Sequence, residues 1–266
     1  MNKTNLSEKT HWQSIHQRND NLINIPSNLK ILQGYYHFAL FKIIKKFWNK
    51  DYNNFLEIGC APGNYLVKFK KTFKIDAFGV EYEKEGYLKT IQNVSQYGIP
   101  EKNIVLADFF DSNFLQSNYE KFNIVFSAGF IEHFQDPKEI IKKQASLLAK
   151  NGLLICIIPN ARYAIEFLSD KKTISLHNQS IMNPKAFRDF FDVESFEIEY
   201  CNYFGGLFNF GIFGQKKFIS KIIFKSLFVI QRLILDNLEK IYFMIIGRDL
   251  TCKYTSPSLL CIAIKK

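Results

Sequence analysis

Nothing in this 266-residue chain pairs cysteines at C-x-x-C spacing, and its five cysteines, at 60, 156, 201, 252 and 261, fall short of the density of a secreted disulfide scaffold. Reduced thiols in a cytoplasmic setting are the expectation, most of them acting as small buried hydrophobes. The start, MNKTNLSEKTHW, lacks the apolar segment of a signal peptide, so export is not expected. The most apolar tract, within 216–246, is broken by lysines well before the ~20 apolar residues that a membrane span requires. Internal repeats, low-complexity linkers and recognised RNA- or DNA-binding modules are missing as well. The net charge of +10 comes from lysines scattered along the chain, which reads as a solvated surface, and nucleic acid is not an expected partner.

What is present suits one globular domain carrying a decoration: 47% of the residues are hydrophobic, enough for a sizeable core. From residue 55 onward, short apolar or β-branched runs alternate with helical patterns, the signature of an α/β fold with a parallel sheet covered by helices. The expected strands are FLEIG, DAFGVEY, NIVLAD, NIVFSAG and LLICIIP, followed later by SFEIEYCNYF and SLLCIAIKK. Between them the pattern predicts helices over LVKFKKTF, EGYLKTIQNVSQYG, PKEIIKKQASLLAK and NPKAFRDFFD, with a loop near 111–120. The third of these helices carries the clearest punctuation, with Asp136 as cap, Pro137 in the first turn, Glu139 for an approximate capping box and Asn151-Gly152 as the stop.

The segment NNFLEIGCAPGNYLVKF concentrates the chemistry. A strand that runs straight into a glycine-bearing turn and then a helix leaves backbone N–H groups facing a ligand, and Gly59 and Gly63 permit the turn and a close approach. Glu57 lies inside the apolar run, where an unpaired carboxylate is costly, so it should meet a cation or a hydrogen-bond donor. Glu81 closes the next strand, about 20 residues on, where a carboxylate can accept from both hydroxyls of a ribose. Asp108 closes the third strand and is followed by Phe109 and Phe110, a carboxylate beside an apolar wall suited to an adenine. A nicotinamide dinucleotide is the less favoured ligand. Its pyrophosphate calls for G-x-G-x-x-G, whereas here there is G-x-x-x-G with a proline inside it and Glu57 close to the phosphate charge.

Taken in order along residues 50–200 and again at the final strand, these features resemble the class I S-adenosylmethionine-dependent methyltransferases. The first motif of that family is an acid followed by G-x-G-x-G; here it is E-I-G-C-A-P-G, with Ala61 in place of the middle glycine. The resemblance implies a Rossmann-like, mainly parallel seven-stranded sheet flanked by helices, with the last strand antiparallel and a helical insertion before it. It also implies that S-adenosyl-L-methionine is the cofactor. Glu57 would organise the methionine amine, and Gly59, Cys60 and Gly63 would line methionine and ribose. Glu81 would bind the ribose hydroxyls, and Asp108 with Phe109 would hold the adenine.

The segment SAGFIEHFQDP, after the fourth strand, looks like the loop of the small-molecule and ubiquinone-pathway branch of that family; the N/D-P-P-Y pattern of amino-methylating nucleic-acid enzymes does not occur here. A hydroxyl acceptor benefits from a base, and His133 is the candidate catalytic residue, since histidine is the side chain suited to take a proton at neutral pH. Its other reading is a loop-capping histidine. Glu132 and His133 form one adjacent pair, too little to specify a metal, and none is assigned. His177 and Arg162 are candidates to recognise an anionic acceptor, against a plain surface role.

The expected organisation is an N-terminal lid over 1–50, with HWQSIHQR as a helix and Trp12 anchoring it, a cofactor-binding core over 51–203, an amphipathic insertion over 204–250 and the final strand over 251–266. Within the insertion Lys217, Lys221, Lys225 and Arg232 share one helical side, opposite Ile219, Ile222, Ile223, Ile230, Leu233 and Ile234. Such a helix can pack as a lid, core or dimer element, or lie at an inner membrane surface. The expected function is methyl transfer to a small-molecule or lipid-linked acceptor, oxygen ahead of nitrogen. The alternative is a cofactor-binding partner module without catalysis.

Overall fold

The computed structural model describes residues 34–160, 175–207 and 229–266. All seven expected strands form: β1 (Asn54–Ile58), β2 (Asp76–Glu81), β3 (Ile104–Leu106), β4 (Phe122–Ala128), β5 (Leu148–Pro159), β6 (Phe196–Phe204) and β7 (Ser258–Lys265). They make one sheet in the order β3-β2-β1-β4-β5-β7-β6, parallel throughout β3 to β5, with β7 antiparallel to both of its neighbours. The chain thus steps outward in one direction from β1 to β3 and restarts on the other side of β1 with β4. That reversal opens a crevice at the carboxyl ends of β1 and β4, the place where doubly wound sheets hold ligands.

The central strands are buried on both faces, as continuous apolar runs demand. Phe55, Ala77, Phe126, Ile155 and Ile262 point into one core, and Leu56, Val80, Val125, Leu154 and Cys261 into the other. Helices α1 (Tyr35–Lys46) and α2 (Asn64–Phe73) cover the first face, and α5 (Pro137–Ser146) and α6 (Pro184–Asp189) the second. Helix α3 (Lys84–Ser95) follows β2, and Gly63 packs against it through Thr90 and Val94. Aromatic rings interlock in the first core; Phe55 stacks on Phe69 with ring centroids 4.0 Å apart.

Two local expectations are corrected. Residues 111–120 contain a short helix, α4 (Ser112–Ser117), because Asp111 accepts hydrogen bonds from the amides of Asn113 and Phe114 and so nucleates a turn. At the other site, α5 stops at Ser146, short of Lys150. Leu148 is drawn into the sheet opposite Phe122, and the strand then bulges before Leu153 pairs with Ile124. The Asn151-Gly152 pair serves that bulge, with Asn151 at a positive φ of 60°. The caps at Asp136 and Pro137 are as expected.

Of residues 1–50, the described helix α1 is core: Ala39, Leu40, Ile43 and Ile44 are buried under the sheet. HWQSIHQR with Trp12, Arg162 and the lysines at 217, 221 and 225 lie outside the described residues. The later part of the insertion is a π turn (Gln231–Leu235) continuing into α7 (Asp236–Ile246). Two carboxylates moor it: Glu239 accepts from the Leu207 amide at 2.7 Å, while Asp249 accepts from the Gly205 amide at 2.8 Å and the Tyr35 hydroxyl at 2.5 Å.

Burial pushes the Glu239 carboxyl up from 4.5 to about 7. Between those values the folded chain keeps a proton that the unfolded chain has released, so the free energy of unfolding falls as pH rises from 4.5 to about 7. Urea denaturation across that window should show the fall in the native protein and a flatter dependence in Glu239→Gln.

Candidate functional site

The turn after β1 is built by backbone demands. Gly59 has a φ of +68° and Gly63 one of +95°, conformations that side chains resist, and the Ala61-Pro62 peptide between them is cis. The amides of Gly59 and Cys60 both donate to the Val80 carbonyl, at 3.0 and 3.2 Å, which clamps the turn onto β2. Asn93 of α3 donates to the Pro62 carbonyl at 2.9 Å and fixes the far side.

Helix α2 begins at this turn, and its cap residue, Gly63, has no side chain to satisfy the first amides. Glu57 supplies the missing acceptor from inside β1: its Oε2 receives the Leu66 N–H at 3.1 Å. The donor sought for the buried acid is therefore a backbone amide at a helix N-terminus, where a negative charge is favoured. Burial nevertheless holds the Glu57 carboxyl well above the usual carboxylate range, and nearby Glu81 adds to the rise against the Leu66 hydrogen bond.

Glu81 closes β2 and is also buried. Its Oε1 accepts from the Glu83 amide at 3.0 Å and its Oε2 from the Ala61 amide at 3.4 Å, so the carboxylate is aimed at the mouth of the glycine turn. Asp108, half-buried just beyond β3, accepts from the Phe110 amide at 2.9 Å. Phe109 is buried beside it and meets Phe130 edge-on, with centroids 5.5 Å apart and planes at 88°. A methyl group at Gly59 would sit 3.6 Å from Phe130 Cδ2, so one ring reaches from the glycine turn to the wall at Phe109.

Of the seven expected ligand residues, Gly59, Glu81, Asp108 and Phe109 gather at the tips of β1 to β3, while Glu57 and Gly63 are buried in the structure that supports the turn, against the Leu66 amide and helix α3. Cys60 shares the turn, but its side chain faces the core. Its thiol is fully buried, and a Cβ on Gly79 would lie 2.6 Å from its Sγ. Only the backbone of Cys60 can line a ligand. Three contributors were not foreseen. Phe130 and Phe134 extend the aromatic wall, a role hinted at only by the F-x-x-x-F spacing of GFIEHF, and Asn93 gave no signal within its helical pattern.

The next loop carries His133 in a single 3-10 turn, Ile131–His133, after Gly129. His133 is buried, and its Nδ1 lies 2.9 Å from the Leu176 carbonyl; a carbonyl can only accept, so Nδ1 is the donor. The loop-holding reading of this histidine is met at Nδ1, while Nε2 lies 3.7 Å from Glu132 Oε1. His177, half-buried, stacks near it at 4.9 Å between centroids. Burial pushes the Glu132 carboxyl up to about 8, offset in part by the nearby amides of Glu132 and Phe130.

The arrangement combines a glycine turn, a carboxylate at each of two adjoining strand ends and an aromatic wall. Residues 32–199, more than half of the chain, match the family described as "Methyltransferase domain". The chain belongs to this methyltransferase family. Its sheet is that of the class I, S-adenosylmethionine-dependent fold, and the crevice residues fit that cofactor in kind and in order. Among solved structures, the plantazolicin methyltransferase BamL, in complex with a triazolic desmethylPZN analog and SAH, is 13% identical. That match has a TM-score of 0.55 and covers 97% of this chain and 91% of that one. The YcgJ protein of Bacillus subtilis is 14% identical with a TM-score of 0.54, covering 86% and 99%. The geranyl diphosphate C-methyltransferase of Streptomyces coelicolor A3(2) is 11% identical with a TM-score of 0.53, covering 87% and 76%. At these identities the likeness is one of fold. No curated protein matches the sequence.

If Glu57 caps α2, replacing it with Gln keeps an acceptor for Leu66, whereas Leu leaves that buried amide unpaired. Glu57→Leu should be less stable than Glu57→Gln by about 1–3 kcal/mol in urea denaturation, and equal stabilities would contradict the cap.

Proposed function

We propose that this protein transfers a methyl group from S-adenosyl-L-methionine to an oxygen of a small-molecule or lipid-linked acceptor. One observation carries the reading: the Gly59 turn, the Glu81 carboxylate and the Asp108–Phe109 pair converge at neighbouring strand ends. When bound, the cofactor supplies an electrophilic methyl group on a sulfonium whose leaving group is already activated.

The residues of the chain do the rest. Glu81, held by two amides, receives the ribose hydroxyls, and Asp108 with the Phe109 wall receives the adenine. Glu57 acts through the helix start that it caps, keeping the turn that faces the methionine end in shape. The wall of Phe109, Phe130 and Phe134 keeps water from the reacting centre, and alignment of the acceptor there accounts for much of the rate. His133 takes the proton of an acceptor hydroxyl at Nε2, since Nδ1 is committed to Leu176.

A lipid-linked acceptor is favoured by the surface of the insertion. Leu233, Ile234, Leu238, Ile241, Met244 and Ile245 stand 48–75% exposed between 233 and 245, an apolar face suited to a bilayer interface. No helix among the described residues is long and apolar enough to cross a membrane.

Incubation with methyl-labelled cofactor and a cell extract should place label in a product, and Glu81→Ala should weaken calorimetric cofactor affinity by about 1–3 kcal/mol. Bound but unconsumed cofactor would instead indicate a partner module without catalysis. In a flotation assay the protein should rise with anionic liposomes and lose that behaviour when Leu238, Ile241 and Ile245 are changed to Ser; absence of flotation by the native protein removes the membrane contact.

A further inference from the structure

The loop after β4 and the segment before α6 meet over a side-chain cluster that cofactor binding does not use. Glu132 is 1% exposed; the amides of Glu132 itself and Phe130 lie near its carboxyl, but among the described residues neither oxygen makes a well-aligned hydrogen bond. His133 Nε2 is 3.7 Å from its Oε1, beyond hydrogen-bond reach. A buried acid of this kind keeps its proton unless something of positive charge completes the carboxylate.

Two imidazoles stand around it. One ligand atom from each of Glu132, His133 and His177 lies within 4.8 Å of the other two. Around a tetrahedral ion with nitrogen bonds of 2.0–2.1 Å, ligand atoms are roughly 3.3 Å apart, so side-chain rotations of about an ångström close the set. The supporting contacts are already in place. Donation by His133 Nδ1 to the Leu176 carbonyl fixes the tautomer that presents a lone pair at Nε2, and such an outer hydrogen bond is what orients metal-bound imidazoles. The two segments are also tied by the backbone: the Asn178 amide donates to the Glu132 carbonyl at 2.6 Å, and its side-chain amide donates to the Phe134 carbonyl at 3.0 Å. His177 is thereby carried to the Glu-His pair across a gap of 44 residues in sequence, which is why the pair alone did not specify a site.

We propose that Glu132, His133 and His177 bind one divalent transition-metal ion, with zinc the best match. Two imidazole nitrogens and one carboxylate suit a borderline ion, whereas magnesium and calcium favour all-oxygen shells. Three protein ligands leave at least one coordination position for a water or an oxygen of another molecule. The cluster sits at the carboxyl end of β4, where Glu132 Oε1 is 3.7 Å from the place of a Cβ on Gly129. An acceptor bearing a hydroxyl or carboxylate oxygen is the class of ligand for the open position, a point that rests on the methyl-transfer reading, while metal binding does not; with the ion in place His133 Nε2 is a ligand and not a base, and the lowered pKa of an oxygen on the ion would serve in its stead.

The test uses the full chain, stripped with a chelator and titrated calorimetrically with Zn2+, then loaded with Co2+ for visible absorption. The native protein should take up one ion per chain and show the Co2+ bands of a low-coordinate nitrogen–oxygen site. Glu132→Gln and His177→Ala should each weaken Zn2+ binding by at least about tenfold, the lower bound for losing even a supporting partner. Melting temperature and S-adenosylmethionine affinity should hold in His177→Ala, whose side chain is only half-buried. No uptake by the native chain, or uptake undiminished in both variants, overturns the site and leaves an ordinary buried Glu-His contact. Metal uptake without any cofactor binding would sink the methyl-transfer reading while leaving the metal site standing.

Discussion

A carboxylate inside a strand holding the first turn of the following helix is the contact on which the site depends. Helix α2 starts on a glycine because the turn must run through positive φ at Gly59 and Gly63, and a glycine cap has no side chain to accept the first amides. Glu57 reaches up from β1 to do so. The Gly59 and Cys60 amides, donating to the Val80 carbonyl, seat the glycine turn on β2, where Glu81 accepts from the Ala61 amide. Strand, turn, helix and second carboxylate form one rigid unit before any ligand arrives, which is the preorganisation that binding requires.

The two sides of the crevice differ in kind. The β1–β3 side is a lattice of backbone amides meeting carboxylates, suited to hydroxyls and amines. The β4 side is aromatic at Phe130 and Phe134, and then polar again at Glu132, His133 and His177. Phe130 joins the two halves, with one edge towards Gly59 and its ring against Phe109. A cofactor on one side and an acceptor on the other would meet at that ring.

Much of this was legible in the sequence because it rests on local pattern. Two-sided burial makes the strands read as apolar runs, and a mandatory positive φ leaves a glycine. Acids at strand ends stand out against such runs. What stayed hidden depends on distance along the chain. The partner of Glu57 could not be read as the Leu66 amide, since that depends on Gly63 being the cap. The inward turn of the Cys60 side chain depends on Gly79 of the neighbouring strand leaving room for sulfur. His177 joins His133 only through hydrogen bonds between two loops. The early end of α5 had a similar origin, because pairing of Leu148 with Phe122 overrode a helical pattern that ran on to Lys150.

The central claim is that the first three strand tips hold an adenosyl group together. A crystal structure with S-adenosylhomocysteine tests it most directly. The account predicts the ribose against Glu81, the adenine beside Asp108 and Phe109, and the amino-acid tail over the Gly59 turn. Density for the ligand elsewhere on the protein, or a crevice that stays empty at saturating concentration, would contradict it.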